Sequence, residues 1–295
     1  MFDPRIPYHR RMWHYDSDRP LSVAQLIALG SLDAQTAAML WLLIERHQSL
    51  IVSGPTDPTP GIGKTTTLNA LLGFLPPGTT LVYTTGMYED FAFRDEVTPA
   101  TTCVLANEVS DHLHIYMWGS VARELLNLPG EGFAIATSCH ADTIKDVLSM
   151  LRRDLRIPAA TVRHLGLVIN IGVVGRVWPP RRRFLTVNFL ATQPPDGAPS
   201  EIRLIPLAEW QASSDTFTHA TPEALAELAT IIGMPLDDIT AAIARRQQVL
   251  EEVSEGRGIG PSRMREAVDA LFASEQANEQ GDDDTADEDD EGAGE

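Results

Sequence analysis

A Gly- and Pro-rich loop between an apolar run and a helix constrains this sequence more than any other feature. The loop extends from Ser53 to Thr67 and follows the apolar run Ser49 to Val52. A loop in this position presents backbone N–H groups and a helix N-terminus, which together bind polyphosphate. Lys64 is expected to reach the terminal phosphates, and Thr65 is expected to hold Mg²⁺. The predicted nucleotide-binding residues are Gly54, Gly61, Ile62, Gly63, Lys64, Thr65 and Thr66.

The spacing of this loop departs from the usual phosphate-binding pattern. Pro58 stands where that pattern has a glycine, five residues before Gly63. The four residues from Asp57 to Pro60 separate the opening at Gly54 from the closing Gly61-Ile62-Gly63-Lys64-Thr65. The alternative interpretation is a Pro- and Gly-rich surface loop before an ordinary helix.

The charge of the chain is concentrated at its C-terminal end. The formal net charge of the 295 residues is −18, and residues 281–295 hold nine acidic residues and no basic one, which leaves −9 for the rest. A segment with this composition lacks the apolar side chains needed for a core, so it is expected to be a disordered acidic tail. An acidic body also argues against binding nucleic acid through a broad basic face.

The cysteines and the hydropathy pattern predict a cytoplasmic protein. Cys103 and Cys139 both lie in apolar, strand-like runs without metal-ligand spacing, which predicts buried thiols in a reducing compartment. No apolar run approaches the roughly 20 residues that span a bilayer. The N-terminal segment, residues 1–19, mixes charged and aromatic residues and does not resemble a signal peptide.

Strand and helix patterns alternate through the first half of the chain. This alternation predicts an α/β fold with a mainly parallel sheet and helices on both faces. After residue 166 the pattern changes to an antiparallel meander, with strands expected at 167–174, 183–190 and 202–207. C-terminal helices are expected at about 222–232, 236–254 and 261–274.

These patterns divide the chain into four predicted regions. Residues 1–47 form an N-terminal arm with helices that lead into the core, and residues 48–210 form the core itself. Residues 211–275 form a helical region, and residues 276–295 form the acidic tail.

Two residues at the predicted ends of parallel strands are candidates for catalysis. Glu108 follows the apolar run Cys103 to Ala106, and a carboxylate there can polarise water or hold a metal-bound water. His140 ends the next predicted strand, where it could sense a terminal phosphate. The alternatives are a helix N-terminal Glu108 and a His140 that caps the helix expected to begin at Asp142.

Several other polar groups are weaker candidates for a role in catalysis than Glu108 and His140. A nucleophilic pair of Cys139 and His140 is disfavoured, because adjacent strand residues point to opposite faces. His112 and His114 are interpreted as a solvated helix start. The run Arg181 to Arg183 is interpreted as a hairpin tip in water. Arginines that could reach a phosphate on a neighbouring subunit are Arg94, Arg123, Arg152, Arg153, Arg156 and Arg176.

Several motifs occur in an order that is typical of one protein family. They are the stretch from Leu21 to Leu32, the loop at 54–67, Asn107-Glu108-Val109, residues 137–141 around His140, and the stretch from Glu209 to Phe217. In this order and spacing the chain resembles the ATPases of type II and type IV secretion systems. It is most similar to the archaeal-type motors that build pili and archaella.

This resemblance implies a RecA-like P-loop NTPase core, bound ATP and Mg²⁺, a homo-hexameric ring and a membrane platform protein as partner. It also implies a location at the inner face of the cell membrane. By the resemblance, Lys64 and Thr65 match the Walker A pair, Glu108 matches the Walker B glutamate that also serves the metal, and His140 matches the family's histidine box.

The chain also departs from the family pattern. Asn107 stands in place of a glycine, and the second acidic motif is replaced by residues 83–86, with acidic residues only at Glu89 and Asp90. The large N-terminal domain that clamps the nucleotide is expected to be absent.

Three functional hypotheses follow. The first is an ATP-hydrolysing motor subunit, and the second is a catalytically weak nucleotide-binding structural subunit of the same ring. The third is an unrelated P-loop enzyme such as a small-molecule kinase.

Overall fold

The computed structural model describes residues 20–55, 61–175, 179–192, 202–255 and 259–288. The first five strands of the chain form the parallel part of its sheet. The strands are β1 (Leu50–Gly54), β2 (Thr80–Tyr83), β3 (Thr102–Val109), β4 (Ala134–His140) and β5 (Leu167–Val174). They lie in the order β2-β3-β4-β1-β5, with every neighbouring pair parallel. Because β4 lies between β1 and β3, the carboxyl ends of these three strands are adjacent.

Three antiparallel strands extend the sheet beyond β5. They are β6 (Arg181–Thr192), β7 (Ile202–Gln211) and β8 (Thr216–His219). The sequence predicts strands at 167–174, 183–190 and 202–207, and β8 is a further strand of the meander. It pairs with β7 and places Trp210 opposite Phe217. The turn between them is fixed at Asp215, which has φ of +54° and accepts a 2.8 Å hydrogen bond from Trp210 Nε1.

Helices cover both faces of the sheet, and the predicted α/β class is confirmed. They are α1 (Val23–Ala28), α2 (Ala34–Glu45), α3 (Lys64–Leu71), α4 (Gly119–Asn127), α5 (Ile144–Ser149), α6 (Ala159–Val162), α7 (Pro222–Ile232), α8 (Leu236–Glu255) and α9 (Pro261–Glu288). Neighbouring residues of β1 face the two cores: Leu50 and Val52 pack with α2, α3 and α8, whereas Ile51 packs with α4 and α5. This alternation buries a central strand on both sides.

Helix α2 lies deep in the core, as its dense apolar sequence predicts. All nine residues from Thr36 to Ile44 are buried. The Trp41 ring stacks on Phe74 at a centroid distance of 5.1 Å. The sequence predicts a helix that Ser22 caps and that begins at Val23. Helix α1 begins there, and Ser22 forms a capping box with Gln25.

The predicted helix starts at His114 and Asp142 are wrong. Residues 110–117 close back on the end of β3, since Met117 N donates to Glu108 O at 3.0 Å and Ser110 N donates to Met117 O at 3.1 Å. Helix α4 therefore begins only at Gly119. Helix α5 is capped by Thr143, whose hydroxyl accepts from Asp146 N at 3.3 Å.

The C-terminal helix extends past the boundary expected for the tail. Helix α9 reaches Glu288, so residues 276–288, expected in a disordered tail, fall within its bounds. The N-terminal arm up to residue 19, the inserted residues 57–60, Arg176 and the last part of the tail, residues 289–295, lie outside the described residues.

Candidate functional site

Glycines at both ends of the loop match its expected course from β1 to α3. Gly63 precedes the first residue of α3 with φ of +103°, a conformation that L side chains rarely adopt. At the other end, a Cβ on Gly54 would lie 2.8 Å from Ile171 O of β5. Only glycine therefore fits these two positions without a shift of the backbone. Gly61, Ile62, Gly63 and Lys64 follow the gap in the described chain, so the turn into α3 is described while the inserted residues are not.

Arg182 binds the described end of this loop. Its Nη2 donates to Gly61 O at 3.0 Å, and its Nε donates to Ile62 O at 3.1 Å. The interpretation of residues 181–183 as a solvated hairpin tip is wrong for Arg182. It is wrong also for Arg183, which is buried and bound to Asp215 by two hydrogen bonds of 2.8 and 2.9 Å.

Lys64 is the first residue of α3, and its side chain points toward β4. The residue is only 8% exposed, and its Nζ lies 3.0 Å from Nδ1 of His140. Burial lowers the pKa of Lys64, while the nearby Glu108 carboxylate acts in the opposite direction. An ammonium held in a partly dehydrated site binds an incoming anion more strongly than one in water.

Glu108 and His140 meet at the carboxyl ends of β3 and β4. His140 Nε2 lies 2.6 Å from Glu108 Oε1, and the Glu108 side chain is 8% exposed. Glu108 lies within β3 itself, which extends to Val109, so the shorter predicted strand was wrong. The three predicted catalytic residues, Lys64, His140 and Glu108, are therefore brought into one contiguous chain of contacts.

The remaining predicted nucleotide-binding residues differ in how deeply their side chains are buried. The Ile62 side chain is buried in the core, and its Cδ1 lies near Gly54 of β1. Thr65 and Thr66 lie partly exposed in the first turn of α3. Among the described residues no group of three or more His, Cys, Asp or Glu could hold a metal. One hydroxyl and one carboxylate suit Mg²⁺, which takes few protein ligands and completes its shell with phosphate oxygens and waters.

Several supporting contacts could not be read from the sequence. Ser138 Oγ donates to Asn107 O at 2.9 Å, which ties β4 to the strand that carries Glu108. Asn170 Nδ2 donates to Ser53 Oγ at 3.0 Å and contacts Ala141 O at 3.3 Å. These bonds fix the ends of β1, β3 and β4 relative to one another. In the sequence, Ser53 and Ser138 are marked by lying near strand ends, whereas Asn170 lies inside β5 and has no such signal.

His112 lies at a position that differs from the predicted one. Its ring packs edge-on against His140 with centroids 4.7 Å apart, and its Nδ1 lies 2.6 Å from Ser110 Oγ. The residue lies in the loop after β3, not at a helix start, although it is exposed as expected. The imidazole of His140 is therefore confined on one side by a second ring.

The cysteines are buried as predicted. Cys103 and Cys139 lie in β3 and β4, and burial raises the pKa of each thiol to about 12. A thiol with such a pKa is a poor nucleophile at neutral pH. This agrees with the low weight given to a pair of Cys139 and His140.

The arginines that are candidates for reaching a neighbouring subunit differ in their contacts within the chain. Arg94 pairs with Glu124 at 2.6 Å and with Glu131 at 3.3 Å. Arg152 donates to Ile157 O at 2.5 Å. Arg123 and Arg153 are exposed.

The first acidic residue after β2 is held in a local turn. The Glu89 carboxylate accepts from Thr85 N at 2.7 Å and from Phe91 N at 3.1 Å. Through these hydrogen bonds Glu89 stabilises the turn after β2.

The strand order and the helices on both faces define an α/β protein whose architecture is compatible with a RecA-like core. A family model described as type II/IV secretion system protein matches residues 16–86, and the resemblance predicted from the sequence is confirmed over these residues. The match includes α1, α2, β1, the loop, α3 and β2, whereas Glu108 and His140 lie beyond it.

A protein of Methanocaldococcus jannaschii, named only as uncharacterized, is 46% identical over 61 residues. The aligned segment covers 21% of this chain and 10% of the relative. Among the described helices, none has the length and apolar character needed to cross a bilayer.

Proposed function

We propose that this chain binds and hydrolyses ATP as a subunit of a pilus-assembly or protein-secretion motor. The contact chain from Lys64 through His140 to Glu108 carries this proposal. It joins the helix after the loop to the ends of two neighbouring strands. A phosphate cradle, a cation and a carboxylate in one place are the parts that phosphoryl transfer to water needs.

The residues have distinct tasks in this proposal. The Lys64 ammonium binds the terminal phosphates beside the N-terminus of α3, where backbone N–H groups favour negative charge. Thr65 and Glu108 would hold Mg²⁺, which neutralises charge on the transferred phosphoryl group when it is bound. The Glu108 carboxylate orients the attacking water.

His140 links the cation to the carboxylate. An incoming phosphate competes for the Lys64 ammonium, and Nδ1 of His140 then loses its present donor. The ring of His112 lies against this imidazole and limits its rotation. His140 therefore senses whether a terminal phosphate is bound and passes this state to Glu108.

The proposed partners follow from the secretion family. They are further copies of this chain in a hexamer and a membrane platform protein, with the ring peripheral at the inner face of the membrane and no role for nucleic acid. The exposed Arg123 and Arg153 are better placed to reach a neighbouring copy than Arg94, which is paired with two carboxylates.

ATP turnover measured together with molar mass by light scattering tests the proposal, with and without nucleotide. We expect turnover and a nucleotide-dependent increase in mass for the full chain, and neither for Lys64→Ala. Lys145→Ala is the matched control, because Lys145 is exposed on α5. Turnover that persists at full rate in Lys64→Ala would exclude this site as its source.

The second candidate is a structural subunit that binds nucleotide without efficient turnover. The local turn that engages Glu89 favours it, because this carboxylate is not available as a second catalytic acid while the turn persists. Tight binding of ATP with no product after many hours would support this candidate over the first. Turnover by the purified chain alone would reject it.

A further inference from the structure

Arg182 binds two consecutive backbone carbonyls of the phosphate loop. The donors are Nη2 and Nε, and the acceptors are the carbonyl oxygens of Gly61 and Ile62. A guanidinium presents its N–H groups in a rigid plane, so it can bind two adjacent acceptors at once. The stem of the side chain also lies over Gly63, where an added Cβ would meet Arg182 Cδ at 3.2 Å.

These two bonds determine the direction of the neighbouring amides. In a trans peptide, the C=O of one residue and the N–H of the next point in opposite directions. With the Gly61 and Ile62 carbonyls turned toward Arg182, the N–H groups of Ile62 and Gly63 point away from it. Such amides are the groups with which a loop of this kind binds phosphate oxygens.

Arg182 lies on β6, in a segment whose position is fixed by contacts with neighbouring elements. It pairs with Val173 of β5, and β5 pairs directly with β1, from which the loop departs. The next residue, Arg183, is buried and bound twice by Asp215. The guanidinium therefore contacts the loop from a strand segment that is held by pairing with β5 and by the bonds between Arg183 and Asp215.

We propose that Arg182 is a positioning residue for the phosphate loop, and that it holds the Ile62 and Gly63 amides toward a polyphosphate by binding the carbonyls behind them. This inference rests on the proposed nucleotide site.

Two measurements test the inference in the full chain, with Arg182→Ala, Arg182→Lys and the control Arg203→Ala. Arg203 is an exposed β7 residue paired with Glu227 at 2.5 Å. The first measurement is ¹⁵N relaxation of Ile62 and Gly63 without nucleotide. The second is binding of tripolyphosphate and of ATP with Mg²⁺, followed by kcat at saturating ATP.

In Arg182→Ala we expect the order parameters of both amides to fall from about 0.85 to below about 0.6. We expect Kd for tripolyphosphate and for ATP to rise at least tenfold, and kcat at saturation to change less than threefold. Arg182→Lys has a single ammonium group in place of the planar guanidinium, and it should give an intermediate Kd. Arg203→Ala should match the wild type.

Unchanged order parameters and Kd in Arg182→Ala would overturn the inference. A fall in kcat with an unchanged Kd would also overturn it, because Arg182 would then act on the reaction itself. If Arg182→Ala does not fold, Arg182→Lys carries the same test. If the wild type binds no polyphosphate at millimolar concentration, the proposed function fails, while the relaxation data still decide whether Arg182 orders the loop.

Discussion

The Nζ of Lys64 lies 3.0 Å from Nδ1 of His140, although the two residues are 76 positions apart in the chain. A lysine ammonium only donates hydrogen bonds, so Nδ1 of His140 is the acceptor. The imidazole proton then lies on Nε2, the nitrogen that faces Glu108 at 2.6 Å. In this tautomer one imidazole contacts a cation through Nδ1 and a carboxylate through Nε2.

Lys64→Met is expected to weaken ATP binding by about 10–100-fold, the effect of removing a hydrogen bond from a charged group. Isothermal titration with ATP and Mg²⁺ measures this effect. Lys145→Met is the control and should bind as the wild type does. A Kd within twofold of the wild type in Lys64→Met would contradict the assignment of this residue.

The stability difference between the wild type and Lys64→Met is expected to depend on pH. The pKa of Lys64 in the folded state is lowered, so the buried ammonium destabilises the fold at neutral pH. As pH rises from the folded pKa toward the unfolded value of about 10.4, the wild type should gain stability relative to Lys64→Met. Urea denaturation of both proteins between pH 7 and pH 10 measures the change, and a constant difference would argue against it.

Glu108→Gln is expected to reduce kcat by about 100–1000-fold while ATP still binds, because the amide cannot orient or polarise the water as a carboxylate does. Steady-state turnover and nucleotide binding measured on the same sample separate the two effects. Glu89→Gln, which alters a carboxylate engaged in a local turn, is the comparison and should retain most of kcat. The reverse ranking would identify Glu89 as the catalytic acid.

His140→Gln should lower kcat more than it raises Kd for ATP, because His140 joins Lys64 to Glu108 without being the main phosphate ligand. ¹⁵N spectra of the histidine rings provide a direct check. In the wild type we expect the proton of His140 on Nε2 without nucleotide, and a change of the Nδ1 signal when ATP binds. A ring spectrum that does not respond to ATP would refute the sensing role, and His164, which is exposed just after α6, serves as the internal control.

Asp215→Asn should destabilise the fold at neutral pH. Hydrogen bonds from Arg183 and Trp210 hold the pKa of the Asp215 carboxyl well below its usual range. A lowered folded pKa contributes stability above the unfolded pKa of about 3.9, and this contribution is lost as pH falls toward the folded pKa. The difference in free energy of unfolding between wild type and variant should therefore be largest above pH 5 and narrow below pH 4. Asp95→Asn, at an exposed site, should show no such difference.

Both cysteines should resist thiol reagents in the native protein. With a pKa of about 12, only about one thiol in ten thousand is ionised at pH 8. We expect no reaction with a chromogenic disulfide in buffer and reaction of two thiols per chain in denaturant. Rapid labelling of the native chain would show that β3 or β4 opens readily.

The local features of the fold were predictable because neighbouring residues determine them. The capping box at Ser22 and the Thr221-Pro222 start of α7 are sequence signals, and both helices begin where expected. The dense apolar run of α2 likewise predicted a buried helix. By contrast, the helix predicted to begin at His114 was wrong, because Met117 donates its N–H to Glu108 O of β3 and accepts from Ser110 N, which holds this stretch against the strand end.

The candidate site was predictable in its residue types but not in its contacts. Strand-end positions identified Glu108 and His140, and the loop identified Lys64. No local pattern linked Arg182 to the loop, because that contact joins β6 to a segment 120 positions earlier. His112 was misinterpreted for the same reason, since its partner lies on another strand.

The sequence by itself determined the strand–loop–helix unit around Lys64, the apolar periods of the core and the polar residues at strand ends, since each depends on residues close together in the chain. Only the tertiary structure decided that β4 lies between β1 and β3, which brings His140 between Lys64 and Glu108, and that β6 lies close enough for Arg182 to bind the loop. Strand order and register arise from packing between distant segments, and a periodic pattern contains no information about which distant strand becomes a neighbour.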